Sequence, residues 1–209
     1  MKLVTLLSSG IDSPVATYLL SKKVTDIIFL HVDIKPFTDE KEKENFLKIA
    51  KKLKEIIGSN VKTYIVSHGE NLDKFIRKCD KKYTCIFCKR MMLRYAEKIA
   101  EKENAMAIIM GDSLGQVASQ TLDNLNVIDK AINIAVLRPL IGFDKQEIIK
   151  ISKRISFYDL SILPSKQCTA VPNKPSTSAK IEKILLEEKK LEIKKLVEKT
   201  VKDAKIVKI

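Results

Sequence analysis

The sequence of 209 residues predicts an α/β fold built on a doubly wound parallel sheet, of the Rossmann-like kind. Two observations carry this. Short apolar runs of strand type alternate with longer amphipathic, charged segments of helical period. The first run also ends in a turn of small residues that feeds directly into a helix, the arrangement that opens a β–turn–α unit.

Taken in order, residues 2–7 form the first strand and 13–22 a helix, with Pro14 in the first turn, where its missing N–H is not needed. Residues 26–32 are a second strand. Residues 40–57 are a helix with apolar positions Phe46, Ile49, Ala50, Leu53 and Ile57 on one face. A third strand at 61–66 is followed by helices at 71–77 and 88–102, and a fourth strand by 105–110. A fifth strand at 134–137 ends in Arg138-Pro139, and a helix spans 145–154. The stretch 163–178 holds Pro164, Pro172, Pro175 and Cys168 and reads as an irregular loop. From residue 179 onward the chain reads as helical, with apolar positions at Ile181, Ile184, Leu185, Leu196, Val197 and Val201. The expected organisation is one domain over 1–178 and a C-terminal helical extension over 179–209. Ligands of such sheets gather beyond the carboxyl ends of the strands, so residues 8–13, 31–37, 111–120 and 139–143 are the places to look.

Hydrophobic residues make up 45% of the chain, enough for an ordinary core, and the formal net charge is +13. That charge suits RNA, nucleotides or an anionic membrane surface, or else a lysine-rich surface of thermophilic type. No apolar run approaches the roughly 18 residues of a membrane span, and the N-terminus enters a strand at once. Neither a span nor a secretory signal is expected, and the cytoplasm is the expected compartment. The four cysteines, Cys79, Cys85, Cys88 and Cys168, then read as metal ligands or reactive thiols sooner than as disulfides.

The turn Ser8-Ser9-Gly10-Ile11-Asp12-Ser13 presents backbone N–H groups at the positive end of a helix, and its hydroxyls add donors. This geometry binds phosphate. It lacks the lysine of an ordinary P-loop. Asp12 in an anion site makes sense if it handles Mg2+ or orients a nucleotide. A helix capped by Asp or Ser is the plainer alternative.

The run from Leu6 to Ala16 resembles the pyrophosphate-loop motif of the PP-loop ATPases, usually Ser-Gly-Gly-x-Asp-Ser, with Ser9 standing where glycine is usual. A serine there is strained only if the position needs a positive φ. Further on, the segments from Gly111 to Leu125, from Cys88 to Arg94, from Leu137 to Ile141, and around Cys168 through Pro172-Asn173-Lys174-Pro175-Ser176-Thr177 are similar, in order, to the tRNA 4-thiouridine synthases (tRNA sulfurtransferases). The resemblance covers about residues 2–180. It implies an enzyme that cleaves ATP between the α and β phosphates, adenylates a uridine of tRNA and replaces the oxygen by sulfur.

The ATP contacts that the resemblance implies are Leu6, Leu7, His31, Val32, Lys89, Gly111 and Gln120, besides Ser8, Ser9, Gly10, Asp12 and Ser13 of the loop. Asp12, Lys89 and Cys168 would be catalytic. In a helix Gln116 and Gln120 would share a face and could grip a nucleotide; His68 matches nothing and reads as a surface residue. Cys85-Ile86-Phe87-Cys88 fits zinc, an iron–sulfur cluster or a redox dithiol equally well. Resemblance to archaeal-type members implies an iron–sulfur cluster on Cys85, Cys88 and Cys168. Members usually carry an N-terminal RNA-binding THUMP module, and here the phosphate loop begins at residue 8. The expectation is that RNA is held by this domain's own basic surface, with Arg90, Arg94 and Lys98 beside Lys89 meeting phosphates, or is brought by another chain. A sulfur donor and a homodimer are further expected partners. Other acceptors (2-thiouridine-type tRNA, a sulfur-carrier protein, a small metabolite) and a non-catalytic nucleotide-binding subunit are the alternatives.

Overall fold

The computed structural model describes residues 1–24, 26–58 and 61–209. Its centre is a sheet in the order β5-β4-β1-β2-β3-β6. Strands β1 (Lys2–Leu6), β2 (Asp26–Asp33), β3 (Lys62–Ser67), β4 (Ala107–Ile109) and β5 (Ala135–Leu137) are parallel, and β6 (Lys205–Val207) closes one edge antiparallel to β3. The helices are α1 (Asp12–Ser21), α2 (Glu40–Ile57), α3 (Gly69–Lys78), α4 (Thr84–Glu103), α5 (Leu122–Asp129), α6 (Lys145–Arg154), α7 (Tyr158–Ser161), α8 (Ile181–Glu188) and α9 (Ile193–Lys202).

Both faces of the parallel strands are covered, which is why they read as continuous apolar runs rather than as alternating ones. Successive side chains of β1 go to opposite sides: Leu3 packs with Val15 and Ala16 of α1 and Ile148 of α6, while Val4 joins the layer of α3, α4, α5, α8 and α9. The amphipathic face of α2 (Phe46, Ile49, Ala50, Leu53) lies on Ile27 and Phe29 of β2. Asp39 caps the start of α2 by accepting from the Glu42 N–H at 3.2 Å, and Gly58 ends it in the left-handed region at φ 66°.

Several boundaries differ from expectation. The helix expected from residue 88 begins at Thr84, so Cys85 and Cys88 lie within α4, one turn apart, rather than ahead of it. The Gln116–Gln120 segment is a loop ending in a 3₁₀ turn at Ala118–Gln120, not a helix, and the helix follows at α5. The C-terminal stretch is not helical throughout, since it ends in the edge strand β6. Helices α8 and α9 share the main core through Ile184 and Val197. His68 is buried, with Nδ1 2.9 Å from the Tyr95 hydroxyl, and burial pushes its pKa down to about 4. The reading of His68 as a surface residue therefore fails. It stands at the start of α3, where the polar atoms of Tyr95 and Asn71 meet inside the packing.

Candidate active site

The chain turns to one side of β1 to make β2 and later to the other side to make β4. The carboxyl ends of β1, β2 and β4 therefore surround a crevice. A cleft of about 360 Å³ lies there. It is lined by Leu6, Leu7, Ser8, Gly10, Asp12, Ser13, His31, Val32, Lys89, Gly111 and Gln120, every expected nucleotide contact except Ser9.

The phosphate loop is held by its own hydroxyls. The Ser8 N–H donates to Ser13 Oγ at 2.9 Å, the Ser8 and Ser13 hydroxyls are 3.1 Å apart, and the Gly10 N–H reaches Ser8 Oγ at 3.3 Å. The buried hydroxyls of Thr5 and Thr17, 2.7 Å apart, pin α1 to β1 just below it. No side chain caps the first turn of α1 at Ile11, so its N–H groups face the cleft without a side-chain acceptor. A Cβ on Gly111 would sit 2.7 Å from the Ser13 nitrogen and 2.9 Å from the Asp12 carbonyl carbon. Glycine is therefore required where the end of β4 presses on the loop's backbone.

Ser9 does not line the cleft, and its φ is not positive, so the serine is unstrained. Its hydroxyl donates to Glu42 Oε1 at 3.1 Å. The other oxygen of Glu42 lies 3.2 Å from His31 Nε2, short of hydrogen-bond geometry. His31 stacks on Phe46 with centroids 4.1 Å apart. Burial raises the Glu42 carboxyl, but His31 and Ser9 outweigh it and hold the group below its ordinary range. A serine in place of glycine thus ties the loop to α2.

The cations of the cleft are paired with carboxylates. Lys145, at the first position of α6, reaches Asp12 Oδ1 at 2.7 Å, with Gln116 Nε2 3.4 Å from Oδ2. Lys89 Nζ and Gln120 Nε2 both meet Asp112 Oδ1, at 2.6 and 3.1 Å, and Arg138 Nε donates to Oδ2 at 3.0 Å. Arg138 also grips Asp129. Burial pushes Asp112 up, but Lys89 and Arg138 prevail and keep it ionised, below the ordinary carboxylate range. Gln120 Oε1 and Thr38 Oγ1 are buried at the cleft without a partner. These are acceptor and donor positions that a nucleotide can satisfy.

Lys145 and Glu42 were not singled out in the sequence, and Asp112 and Arg138 lay within the motif segments without a role assigned to them. Lys145 carried a signal: a lysine in the first turn of a helix opposes the dipole and needs a local anion to hold it there.

The cysteines converge in part. Cys85 and Cys88 on α4 and Cys168 in the proline-rich loop are all half-buried and free of disulfides. Burial raises the Cys85 thiol, as does the neighbouring Cys168, while Lys89 pulls it down; Cys88 is raised by burial and by Cys85 and Cys168, against a smaller pull from Lys89. Cys79 stands apart, its thiol 3.5 Å from the Glu187 carbonyl. Among the described residues no group of three or more His, Cys, Asp and Glu side chains is gathered as a metal site. The thiols as placed fit a free trio, not a formed cluster site.

The expected RNA contacts fare differently. Arg90 is fully buried and grips both oxygens of Glu188 at 2.9 Å; it also donates to the Val127 carbonyl. Arg94, four residues on and so on the same face, joins the same carboxylate at 2.7 and 2.8 Å. Neither is free to meet a phosphate. The basic flank of α4 is a docking face for α8, because Glu188 supplies the counter-charge from a distant stretch of sequence. Lys98 is exposed and pairs with Glu101 at 2.6 Å.

The sequence pattern of the family described as thiamine biosynthesis protein (ThiI) matches residues 1–193. The chain belongs to the ThiI family. Among curated relatives, a probable tRNA sulfurtransferase of Methanosarcina mazei is 43% identical over all of this chain and 52% of its own length. One of Methanothermobacter thermautotrophicus is 46% identical over 92% of this chain and 50% of its own. The chain spans about half the length of these relatives. A solved 4-thiouridine synthetase in complex with RNA and bound ATP superposes with a TM-score of 0.94 at 36% identity, over 99% of this chain and 54% of that one. Among the described residues no helix is long and apolar enough to cross a membrane.

Proposed function

We propose that the chain is the ATP-dependent part of a tRNA sulfurtransferase, which adenylates a uridine oxygen of tRNA and lets sulfur displace it. The observation that carries this reading is the position of Lys89 on α4. Its ammonium sits in the nucleotide cleft against Asp112, and Cys88 and Cys85 precede it on the same helix by one and four residues. The cation for activation and two of the three thiols thus share one helix. The likeness to the ATP- and RNA-bound 4-thiouridine synthetase supports the choice of ATP and RNA.

The phosphates of ATP sit on the uncapped start of α1 and the loop hydroxyls, and the adenosine lies toward His31, Val32 and Gln120. A carbonyl-type oxygen of uridine attacks the α phosphorus, and pyrophosphate departs as Lys89 meets the charge that develops there. Binding releases Lys89 from Asp112, which keeps Arg138 and Gln120 as partners. Asp12 and the hydroxyls of Ser8 and Ser13 are hard oxygen donors at the same place and fit Mg2+, which neutralises phosphate charge when bound. In the second half, the outer sulfur of a persulfide on Cys168 attacks the activated carbon and AMP leaves; Cys85 or Cys88 then attacks the Cys168 sulfur, which frees the thiolated base and leaves a disulfide that an external thiol reductant reopens. The sulfur comes from a donor outside this chain. Because the three thiols do not form a metal site as placed, no step is assigned to an iron–sulfur cluster.

Purified protein with ATP, Mg2+ and unmodified tRNA is expected to release pyrophosphate only when tRNA is present. Absence of release with any RNA would overturn the reading. Anaerobic purification with iron and sulfide analysis decides the cluster: a colourless, iron-free protein that still transfers sulfur leaves the cysteines as thiols.

A further inference from the structure

A second cavity lies away from the phosphate loop. It is a groove of about 630 Å³ between the start of α4, the segment after β2 and the loop that carries Cys168. Its lining includes Phe37, Ile76, Lys81, Lys82, Asn173 and Lys174. Three short ties hold the walls together. The Thr169 N–H and hydroxyl donate to the Phe37 carbonyl at 2.9 and 3.3 Å, and the Ser176 N–H donates to the Lys82 carbonyl at 3.0 Å. Thr169 follows Cys168, and Thr84, which also lines the groove, precedes Cys85. The groove is thus walled by the chain neighbours of Cys85 and Cys168.

We propose that this groove is the substrate-side RNA site, holding an unstacked nucleotide and its flanking phosphates beside the loop that carries Cys168. The reasoning rests on the function proposed above and adds to it the place where RNA is held. No acidic residue lines the groove, while three lysines do. Lys82 is steadied by Asp80 at 2.8 Å, and neither Lys81 nor Lys174 has an acidic partner among the described residues. A wall of one charge sign suits a polyanion. Phe37 is half-buried and faces the same space, flanked by Ile76 and Val171. An aromatic ring with an apolar border and cations around it is the platform on which single-stranded bases stack. The Asn173 amide adds a donor and an acceptor of the type that reads a base edge. A uridine seated here has its base beside the cysteine loop and its phosphates on the lysines. It also explains how RNA is gripped when Arg90 and Arg94 are committed to Glu188.

The test uses the whole chain and unmodified tRNA, with binding followed by fluorescence anisotropy at several salt concentrations. The variants are K81E/K174E, two exposed positions, and Phe37→Ala. The charge reversals are expected to weaken tRNA binding at least tenfold and to flatten the salt dependence by about two ions. Phe37→Ala is expected to cost roughly tenfold, with Phe37→Tyr restoring it. ATP affinity, measured separately, stays at the wild-type level in all of them. Reversal variants that bind tRNA within twofold of wild type overturn the proposal. If they do so while sulfur transfer from a persulfide-bearing donor protein falls, the groove belongs to the donor instead. Failure of the wild-type chain to bind any RNA is a different outcome and removes the RNA reading of the function itself.

Discussion

The carboxylate of Glu188 is the residue on which the internal charge of this protein turns, and Glu188→Gln tests it. Glu188 is 6% exposed and receives four hydrogen bonds, two from Arg90 and two from Arg94. Burial alone would raise its pKa, but the two guanidinium groups pull it from an ordinary 4.5 to about 2. At about 1.4 kcal/mol for each factor of ten in proton affinity, that is roughly 3 kcal/mol of stability. Because the folded-state value is the lower one, this contribution is fully present above about pH 4.5 and disappears as the pH falls toward 2. The glutamine variant leaves two buried guanidinium groups without a counter-charge, a change that costs about 3–5 kcal/mol in such settings. For a chain of this size the midpoint of thermal unfolding at pH 7 should fall by roughly 10 °C. Scanning calorimetry of both proteins from pH 7 down to pH 3 is the assay. The gap between them should narrow below pH 4.5 because protonated glutamate resembles glutamine. A midpoint within about 2 °C of wild type at pH 7, or a gap that stays constant to pH 3, refutes the reasoning.

Gly111→Ala should push the Asp12–Ser13 backbone outward, costing roughly 1–3 kcal/mol and at least tenfold in ATP affinity by calorimetry; unchanged affinity counts against the contact. Ser9→Ala removes the tie to Glu42 and should raise the KM for ATP a few-fold with little change in kcat, whereas an equal loss in Ser9→Gly and Ser9→Ala assigns the effect to the hydroxyl. Cys168→Ser should abolish sulfur transfer and leave tRNA-dependent pyrophosphate release intact; loss of both would place Cys168 in the first half-reaction.

Much of the fold was legible because parallel strands buried on both faces leave dense apolar runs, as in Leu3–Leu7 and Ile27–Leu30. The short edge strand β6 was not, since its three residues take their order from pairing with β3 rather than from any pattern of their own. The nucleotide cleft was legible wherever backbone chemistry decides: the serine turn, Pro14, and Gly111. What escaped were partnerships across long sequence separations. Lys145 and Asp12, Arg90 and Glu188, and Ser9 and Glu42 are ordinary surface-type residues locally, and their roles appear only when the sheet brings them together. Helical spacing showed Arg90 and Arg94 as a basic stripe but could not show that an acid from α8 pairs with both.

Lys89 and Cys85 stand four residues apart on α4, a rise of about 6 Å along a rod that does not bend easily. The nucleotide end and the thiol end of the site are therefore graduations on one ruler, and no hinge within α4 can shorten the gap. Whatever travel is needed between activating a base and handing it sulfur has to be made by the substrate or by the loop of Cys168, which is moored at Phe37 and Lys82 through short backbone links. Stiffening that loop, for instance by adding proline, should slow the transfer of sulfur and spare the chemistry at phosphorus.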